Sequence, residues 1–477
     1  MTEVKQEDRI VIVGGGLVGS LLAMFLARRN LKSLVLEKRP DMRKEKVAAG
    51  RSINLAISTR GIRALKDVGL DDDILAQAVP MRGRMIHPIK GELAYQPYGK
   101  DDSEYINSIS RADLNKSLMT FAEETGLVEF RFSQRVDGMD FDKGLLKVHD
   151  DRVGADCHLV SPLVLGTDGS ASAIRNDMEK RSGFVNQGWL LEYGYKELVI
   201  LPGPGGSYKM EKNALHIWPR TTYMLIALPN FEGSYTCTLF LAYKGDPSFE
   251  KLSTPKLARE FFEEQFPDAL ALMHDFEETW AANPVGEMWT VKSAPWYVGG
   301  KALILGDAAH GIVPFFGQGM NCGFEDCTVF ARCLDEHIQG NASPDVATVP
   351  WEQIFDKFFH LRKQNTDAIA DMAVENFVEM RDKVGQPRFL LEKSVEKVLQ
   401  REFPGQYISR YALVTFSSVP YKLALDVGAI EQEIMNELCD GIEHADQVDL
   451  VKAKALIDTR LAHMLTPYLK ELTSASR

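Results

Sequence analysis

Residues 9–37 read RIVIVGGGLVGSLLAMFLARRNLKSLVLE, and this stretch decides the fold. The apolar run RIVIV predicts a strand, and the three glycines after it predict a tight turn. SLLAMFLARRN then predicts a helix, and SLVLE predicts a second strand parallel to the first. A strand, turn, helix and parallel strand in this order are typical of a nucleotide-binding domain.

The spacing Gly14-x-Gly16-x-x-Gly19 lies where the predicted strand meets the helix, so that the backbone can approach a pyrophosphate at the helix N-terminus. Glu37 ends the next strand, 18 residues after Gly19. A carboxylate there accepts hydrogen bonds from a ribose diol and repels a 2′-phosphate, which favours FAD or NAD over NADP. Without the strand, helix and acid, the same glycines would indicate only a glycine-rich turn.

Two further motifs favour FAD over NAD. GTDGSASAIR places Asp168 and Arg175 just after an apolar strand, although alone it could be a turn with a capped helix. GDAAHGIVPFFGQGMN puts Asp307 at a strand end, before a loop that enters a helix near Met320. Asp307 could bond a ribityl or pyrophosphate-side hydroxyl, and the positive helix end would face the flavin pyrimidine edge. The alternative for Asp307 is a plain helix N-cap.

The remaining chain shows three kinds of pattern. Helical patterns near 60–68 and 110–125 continue the nucleotide-binding part. The later strand ALILGD (302–307) is predicted to belong to the same part. After residue 183 short β-rich segments indicate an antiparallel sheet, and from about residue 351 the pattern is mostly helical. PGPGGS at 202–207 predicts a hairpin turn. We predict an α/β fold with a discontinuous, doubly wound FAD-binding domain (1–75, 105–180 and 296–340), a mainly antiparallel-sheet substrate domain (76–104 and 181–295) and a C-terminal helical region (341–477).

The composition excludes several classes of protein. With 45% hydrophobic and 26% charged residues, the 477-residue chain is neither disordered nor a disulfide scaffold. Its net charge of −12 argues against nucleic acid and anionic membrane surfaces as partners. The six cysteines form no CxxC pair and no zinc spacing, so we expect reduced thiols and no metal. These features predict a soluble, cytoplasmic enzyme.

No membrane span is expected. Residues 10–27 carry no charge over 18 positions, which reaches the length of a span, but the three glycines in their middle would weaken a spanning helix. The polar start MTEVKQEDR does not have the pattern of a signal peptide. Residues 426–477 contain no uncharged run long enough to cross a bilayer.

The patterns GxGxxG, DGxxSxxR and GDAAHxxxPxxGQGxN together resemble the single-component FAD-dependent aromatic hydroxylases. Longer phrases between about residues 8 and 425 are similar to one family of this group, the kynurenine 3-monooxygenases. These phrases are GRSINLA (50–56), MRGRMIH (81–87), QPYGKDDS (96–103), NALHIWP (213–219), VPFFGQGMNCGFEDC (313–327), ENFVEM (375–380) and RYALVTFS (410–417).

The resemblance implies a function. Members of that family use NADPH and O₂ to hydroxylate L-kynurenine to 3-hydroxykynurenine, through a flavin C4a-hydroperoxide, in tryptophan degradation. We therefore expect tight non-covalent FAD, transient NADPH and no side-chain nucleophile, because the flavin does the chemistry. The alternatives are an FAD hydroxylase of another aromatic substrate and a non-catalytic flavin-binding interaction module. Substrate-dependent NADPH oxidation discriminates between them.

The resemblance also implies a substrate pocket. Arg84 and Tyr98 match the pair that holds the substrate carboxylate, and Asn376 and Tyr411 complete the pocket. On pattern alone these residues have plainer interpretations. Arg84 fits an exposed strand arginine, Tyr411 fits a core tyrosine, and Asn376 interrupts an apolar helix stripe where a structural hydrogen bond is equally suitable.

Apolar walls are expected at Phe315 and Phe316, because a dry pocket protects the reaction from water. Some bacterial members carry histidine at the position of Phe316, so an acid-base role of that histidine is absent here. His310 is expected to pack its loop and not to act as a catalyst. The candidate cofactor-binding residues are Gly14, Gly16, Leu17, Val18, Gly19, Glu37, Lys38, Arg39, Ala56, Arg111, Val136, Asp168, Asp307, Gly319, Met320 and Asn321.

Overall fold

The computed structural model describes residues 3–45, 54–99, 103–338, 341, 343–382 and 386–474. Residues 50–53 of the GRSINLA motif and residues 100–102 of the QPYGKDDS motif therefore lie outside the described residues. Strands and helices alternate over the first two thirds of the chain, and helices alone follow from Trp351. The predicted α/β fold class is confirmed.

A six-stranded sheet forms the centre of the nucleotide-binding part. Its strands are parallel except for one short edge strand. The two strands of the opening β-turn-α-β unit are buried along their whole length, which explains their continuous apolar sequences. In spatial order the strands are Tyr297–Val298, Ala302–Ile304, Val164–Gly166, Ile10–Val13, Ser33–Glu37 and Val128–Phe132.

Helix Leu17–Ala27 packs against the helices Arg111–Glu124 and Gly319–Ile338 in the core of this part. Three smaller helices complete it: Thr59–Asp67, Asp71–Leu75 and Ala173–Met178. Three small sheets flank it. In spatial order their strands are Glu3–Gln6, Ala155–Val160, Leu145–Asp150 and Gln134–Asp140; Leu55–Ile57, Ile106–Ile109 and Val79–Met81; and Val185–Asn186 with Ser293–Ala294.

A seven-stranded sheet forms the second part. Its strands are antiparallel except where Gly83–Ile86 lies parallel to Ala214–Arg220. The helices Pro255–Gln265, Pro267–Leu270 and Phe276–Ala282 share a hydrophobic core with it. In spatial order the strands are Val285–Thr290, Trp189–Ile200, Tyr235–Ala242, Tyr223–Pro229, Ala214–Arg220, Gly83–Ile86 and Ala94–Pro97.

One turn prediction was wrong. The PGPGGS segment contains the 3₁₀ turn Pro204–Gly206 but does not make a hairpin. It joins Trp189–Ile200 to Ala214–Arg220, and two other strands lie between these in the sheet. Turn chemistry fixes the local bend only, whereas hydrogen-bond pairing with strands that come later in the chain decides which strands are neighbours.

The C-terminal region is helical and packs against residues of the inner strands of the seven-stranded sheet. Its core includes Met224 and Phe240 from that sheet, and Phe315 and Phe316 from a loop. Among the described helices, none is both long and apolar enough to cross a membrane. The helices are Trp351–Asp382, Pro387–Glu402, Arg410–Thr415, Tyr421–Leu438, Leu450–Arg460, Ala462–Leu465 and Leu469–Ser474, with 3₁₀ turns at Ala445–Gln447 and Thr466–Tyr468.

Candidate active site

A cavity of about 720 Å³ is lined by all three parts of the molecule. We call the portion lined by the glycine-rich turn and the motifs around Asp168 and Asp307 the nucleotide end. The portion lined by Arg84, Phe316 and Tyr411 is the aromatic end. Of the residues predicted from the sequence, Gly19, Asn321 and Asn376 do not line the cavity, and all the others do.

The glycine-rich turn closes the nucleotide end through its backbone. Gly14 has a φ of +102°, and a Cβ there would lie 2.6 Å from the carbonyl oxygen of Thr167. A Cβ on Gly19 would lie 2.0 Å from the carbonyl oxygen of Gly14, so this glycine allows the helix to pack against the turn. A Cβ on Gly16 would meet nothing within 4 Å, because this glycine faces the open cavity. The turn thus leaves room for a ligand at Gly16 alone.

Glu37 is buried at the cavity wall and is held by the backbone. Its Oε2 accepts a hydrogen bond from the Gly15 amide at 2.8 Å, and its Oε1 accepts from the Arg39 amide at 2.9 Å. The Arg39 guanidinium forms an ion pair with it at 2.7 Å. Each carboxylate oxygen can accept more than one hydrogen bond, so Glu37 keeps capacity for a ribose hydroxyl.

The DGxxSxxR motif joins two loops of the nucleotide end. Asp168 Oδ2 accepts from the Ala173 amide at 2.7 Å, and Arg175 donates to the carbonyl oxygens of Ser170 at 2.5 Å and Ala308 at 2.9 Å. Burial raises the pKa of Asp168. Its Oδ1 is buried without a partner among the described protein groups, and such an atom fits a hydroxyl donor from a ligand.

Asp307 lies in the 3₁₀ turn Gly306–Ala308 and exposes its carboxylate to the cavity. In the described part of the chain no group donates a hydrogen bond to this carboxylate. The helix Gly319–Ile338 begins beside it, so the free amide groups of its first turn add positive potential at the cavity wall. The arrangement suits an anionic or hydroxyl-bearing cofactor.

The side chain of Asn321 lies behind the cavity wall and does not line the cavity. Its Oδ1 accepts from the Ser58 amide at 2.9 Å, and its Nδ2 donates to the carbonyl oxygens of Ala56 at 2.8 Å and Gly317 at 3.0 Å. These bonds tie the helix start to two loops. Both polar atoms of the Asn321 side chain take part in these bonds, so the side chain shapes the cavity through Ala56.

The nucleotide end fits FAD. Arg111 and Lys38 line it without an ion-pair partner in the part of the chain that the structure describes, and they can face a pyrophosphate. Ser110 caps the helix that begins at Arg111, with its Oγ 3.3 Å from the Asp113 amide. A cation in the first turn of a helix is unfavourable alone, and a nearby anionic cofactor offsets this.

The aromatic end is built around Arg84. Its guanidinium carbon lies 5.0 Å from the Tyr98 ring centroid and 5.1 Å from that of Tyr411. The two tyrosine rings are stacked with centroids 5.8 Å apart, and Phe316 lies 5.8 Å from Tyr411. Strand pairing with Leu215 and Gln96 on either side fixes the backbone of Arg84.

The charge of Arg84 has no partner of opposite sign in the described residues. Burial raises the pKa of Tyr98 and that of Tyr411, so both phenols stay neutral. A guanidinium is permanently charged, and a half-buried one without a carboxylate is unfavourable until an anion binds. The aromatic end can therefore hold a planar carboxylate beside aromatic rings.

Asn376 supports the aromatic end from outside the cavity. Its Nδ2 donates to the Phe315 carbonyl oxygen at 2.7 Å, and the neighbouring Phe377 ring stacks on Phe315 with centroids 4.2 Å apart. The ring centroid of Phe240 lies 5.0 Å from that of Phe315. The structure thus gives Asn376 the structural hydrogen bond that the apolar stripe allowed for.

A network of buried ion pairs lies behind the nucleotide end, and the sequence patterns do not predict it. Arg60 Nη1 lies 2.6 Å from Glu325 Oε1, Arg362 Nε lies 2.7 Å from Asp326 Oδ1, and His310 Nε2 lies 2.5 Å from Asp326 Oδ2. Burial alone lowers the pKa of His310, but the Asp326 carboxylate outweighs it and raises that pKa to about 10. The available clue was the acidic pair in GFEDC, which lies between the apolar residues Phe324 and Cys327.

Comparison with known proteins places these features in a family. The model of an FAD binding domain matches residues 7–348. The kynurenine 3-monooxygenase of Myxococcus xanthus (strain DK1622) is 58% identical over 98% of this chain and 97% of its own length. That of Dictyostelium discoideum is 42% identical over 94% of this chain and 97% of its own length.

Solved structures support the fold. A tetrameric form of 2-methyl-3-hydroxypyridine-5-carboxylic acid oxygenase matches with a TM-score of 0.61 at 21% identity, covering 82% of this chain and 97% of the other. The p-nitrophenol 4-monooxygenase from Pseudomonas putida DLL-E4 matches with a TM-score of 0.61 at 18% identity, covering 91% and 98%. At these identities the likeness concerns the fold alone.

Proposed function

Because the chain belongs to the kynurenine 3-monooxygenase family, we propose that its cavity holds FAD at the nucleotide end and L-kynurenine at the aromatic end. The protein is an FAD-dependent monooxygenase that hydroxylates L-kynurenine to 3-hydroxykynurenine with NADPH and O₂. One observation carries the assignment of the two ends. Arg84, a cation without a carboxylate partner among the described residues, lines the same cavity as the three nucleotide motifs.

FAD is held by backbone and by short polar side chains. The open face of Gly16 and the start of helix Gly319–Ile338 receive the pyrophosphate and the ring system, and Glu37 receives the adenosine ribose. Asp307 and the free Oδ1 of Asp168 accept from hydroxyl groups. When bound, FAD takes reducing equivalents from NADPH and activates O₂ for transfer of one oxygen atom to the aromatic ring.

The substrate is held by charge at one side and by aromatic contact at the other. The α-carboxylate of kynurenine pairs with Arg84, and the neutral phenols of Tyr98 and Tyr411 can donate to it. Phe315 and Phe316 form the wall against which the aniline ring packs. This clamp fixes the ring relative to the nucleotide end, so orientation is the main contribution of the protein to the reaction.

The protein also excludes water. Phe315, Phe316 and Met224 are buried in the core shared with the C-terminal helices and line the cavity. The amine of an aniline already directs attack to the ring position beside it, so no side chain is needed as a nucleophile. His310 is bonded to Asp326 and does not line the cavity, which agrees with a packing role.

We also propose that the enzyme works in the cytoplasm. All six cysteines are free in the structure, and five of them are buried. Free thiols are typical of a reducing compartment. Cell fractionation that placed the native protein in an oxidising compartment would contradict this assignment.

The function is tested by one assay with purified protein reconstituted with FAD. We expect NADPH oxidation that depends on L-kynurenine, with a product heavier by one oxygen atom. Flavin reduction should also be faster with kynurenine present, because reduction without substrate wastes NADPH as peroxide. A flavin-loaded protein that oxidises NADPH equally with and without kynurenine, and forms no hydroxylated product, would disprove the proposal.

A further inference from the structure

Asp326 connects the helix Gly319–Ile338 to the loop that carries Asp307. The carboxylate is fully buried. Its Oδ2 accepts from the Gly306 amide at 3.0 Å and pairs with His310 Nε2 at 2.5 Å, so it bonds the loop on both sides of Asp307. Asp326 itself does not line the cavity. It acts on the site through the loop.

Arg362 connects the same carboxylate to the C-terminal region. Its Nε lies 2.7 Å from Asp326 Oδ1, its Nη2 donates to the Cys322 carbonyl oxygen at 3.1 Å, and its Nη1 pairs with Glu325. Arg362 belongs to the helix Trp351–Asp382, which 14 residues later carries Asn376. Asn376 bonds the Phe315 carbonyl oxygen at 2.7 Å. One helix therefore bonds the helix Gly319–Ile338 behind the nucleotide end and the loop of Phe315 at the aromatic end, at points about 21 Å apart along its axis.

The energetics favour a geometric role for this network. A buried ion pair often contributes no more to stability than well-packed apolar residues of the same volume, because both charges must lose water. Removing one partner is nevertheless strongly unfavourable, since the other charge stays buried. The pairs here instead restrict the backbone around Asp307 to one arrangement, because the amide of Gly306 and the ring of His310 share one carboxylate oxygen.

We propose that Asp326 and Arg362 are positioning residues for loop 306–310, so that the C-terminal helical region supports the FAD site through Asp326. The inference rests on the proposed function in that the loop faces bound FAD. The two residues hold the Asp307 carboxylate and its neighbouring amide groups at fixed positions. If the loop is displaced, the positions of the Asp307 carboxylate and its neighbouring amide groups change. The affinities for oxidised and reduced flavin then change by different amounts, because the two forms differ in charge.

The test compares Asp326→Asn and Arg362→Lys with a matched control, Asp335→Asn. Asp335 lies on the same helix and pairs with Arg29 at 2.5 Å, but it is 43% exposed and does not contact the loop. The Kd for FAD is measured by titration of apoprotein, and the midpoint potential of the bound flavin by equilibration with a reference dye. Neither measurement needs kynurenine or turnover, so failure of the inference and failure of the proposed function are distinguishable.

We expect Asp326→Asn to raise the Kd for FAD about 10- to 100-fold, the size of effect that loss of a group orienting a metal ligand has on metal affinity. We expect Arg362→Lys to raise it less, because the charge is kept and the fork geometry is lost. The potential should shift in both variants, since a tenfold difference between the affinities for the two redox forms equals about 30 mV. Asp335→Asn should match the parent.

A Kd for FAD that is unchanged, or raised equally in the control, would overturn the inference. A raised Kd with an unchanged potential would also overturn it, because both redox forms would then be weakened alike by loss of fold alone. Asp326→Asn is expected to be the less stable variant, since it leaves Arg362 buried without its Asp326 partner. If it does not fold, the result with Arg362→Lys decides, because that variant keeps the buried charge.

Discussion

The two ends of the cavity are built in different ways. At the nucleotide end the glycine-rich turn offers its backbone, and polar side chains such as Asp168 and Asp307 come from motifs that are each continuous in sequence. At the aromatic end the contacts come from side chains on a sheet strand, a loop and a short C-terminal helix, at Arg84, Phe316 and Tyr411. A site made of backbone is damaged most by an added Cβ atom, whereas a site made of side chains is damaged most by their truncation. Each prediction below tests this contrast.

The largest effect is expected from Gly14→Ala at the nucleotide end. The positive φ of +102° costs a residue with a Cβ about 1–3 kcal/mol, and the Cβ also meets the Thr167 carbonyl oxygen at 2.6 Å. Thermal unfolding of the apoprotein should show this loss. Gly16→Ala is the matched comparison, because its Cβ meets nothing within 4 Å and its φ is −76°.

Gly16→Ala should leave the stability of the apoprotein within about 0.5 kcal/mol of the parent. It should still weaken FAD binding, because the added methyl group occupies the space through which the backbone approaches the pyrophosphate. FAD titration of the folded variant measures this. Parent-like FAD affinity in Gly16→Ala would show that the ligand does not approach the turn, and the contrast between the ends would lose its basis.

The next largest effect is expected from Arg84→Met at the aromatic end. A charge-assisted hydrogen bond contributes about 1.5–3 kcal/mol, so kcat/KM for kynurenine should fall roughly tenfold to a few hundredfold. FAD content should not change. Arg82→Met is the control, because Arg82 lies two residues away over the Tyr105 ring and does not line the cavity.

Arg84→Met should also change substrate discrimination. The variant should discriminate less than the parent between kynurenine and its decarboxylated analogue, since the group that recognises the carboxylate is gone. Parent-like turnover of kynurenine by Arg84→Met, or unchanged discrimination, would show that the carboxylate is bound elsewhere.

Asp307→Ala should have a smaller effect on the cofactor. A hydrogen bond from a hydroxyl group to a carboxylate contributes about 1.5–3 kcal/mol, and because Asp307 is exposed we expect the low end, so the Kd for FAD should rise roughly tenfold. The carboxylate faces the cavity and has no hydrogen-bond donor in the described part of the chain, so the melting temperature of the apoprotein should hardly change. Equal losses of FAD affinity and stability would indicate a helix-capping role instead.

The same contrast explains what could be predicted from the sequence. The buried parallel strands appear as unbroken apolar runs, and the glycine spacing identifies the nucleotide end, because both follow from local backbone requirements. The aromatic end could be predicted only from the family resemblance. Nothing in the spacing of Arg84, Tyr98 and Tyr411 along the chain indicates that these side chains meet. Sheet pairing and the C-terminal helices bring the Arg84 guanidinium and the two tyrosine ring centroids within 6 Å of one another.

Other details depend on long-range contacts in the same way. Asn321 is predicted to bind the cofactor, and the sequence does not show that its side-chain amide also bonds loops on both sides of the helix start. The network of Arg60, Asp326 and Arg362 joins three helices, and a single helix sequence does not show which distant cation a buried acid will meet. The PGPGGS turn failed as a hairpin for the same reason, since strand order depends on later strands.

The smallest effect is expected from Tyr98→Phe. The variant keeps the ring beside Arg84 and removes one neutral hydrogen bond, which contributes about 0.5–1.5 kcal/mol, so kcat/KM for kynurenine should fall only a few-fold. Burial raises the pKa of Tyr98, so the phenol stays protonated and able to donate between about pH 7 and about pH 9. The ratio of variant to parent kcat/KM should therefore stay constant over that range, measured at saturating NADPH. A ratio that approaches one only as the pH rises would show that the phenol ionises in that range and stops donating to the carboxylate. A ratio of one at every pH would show that the clamp consists of Arg84 and Tyr411 without Tyr98.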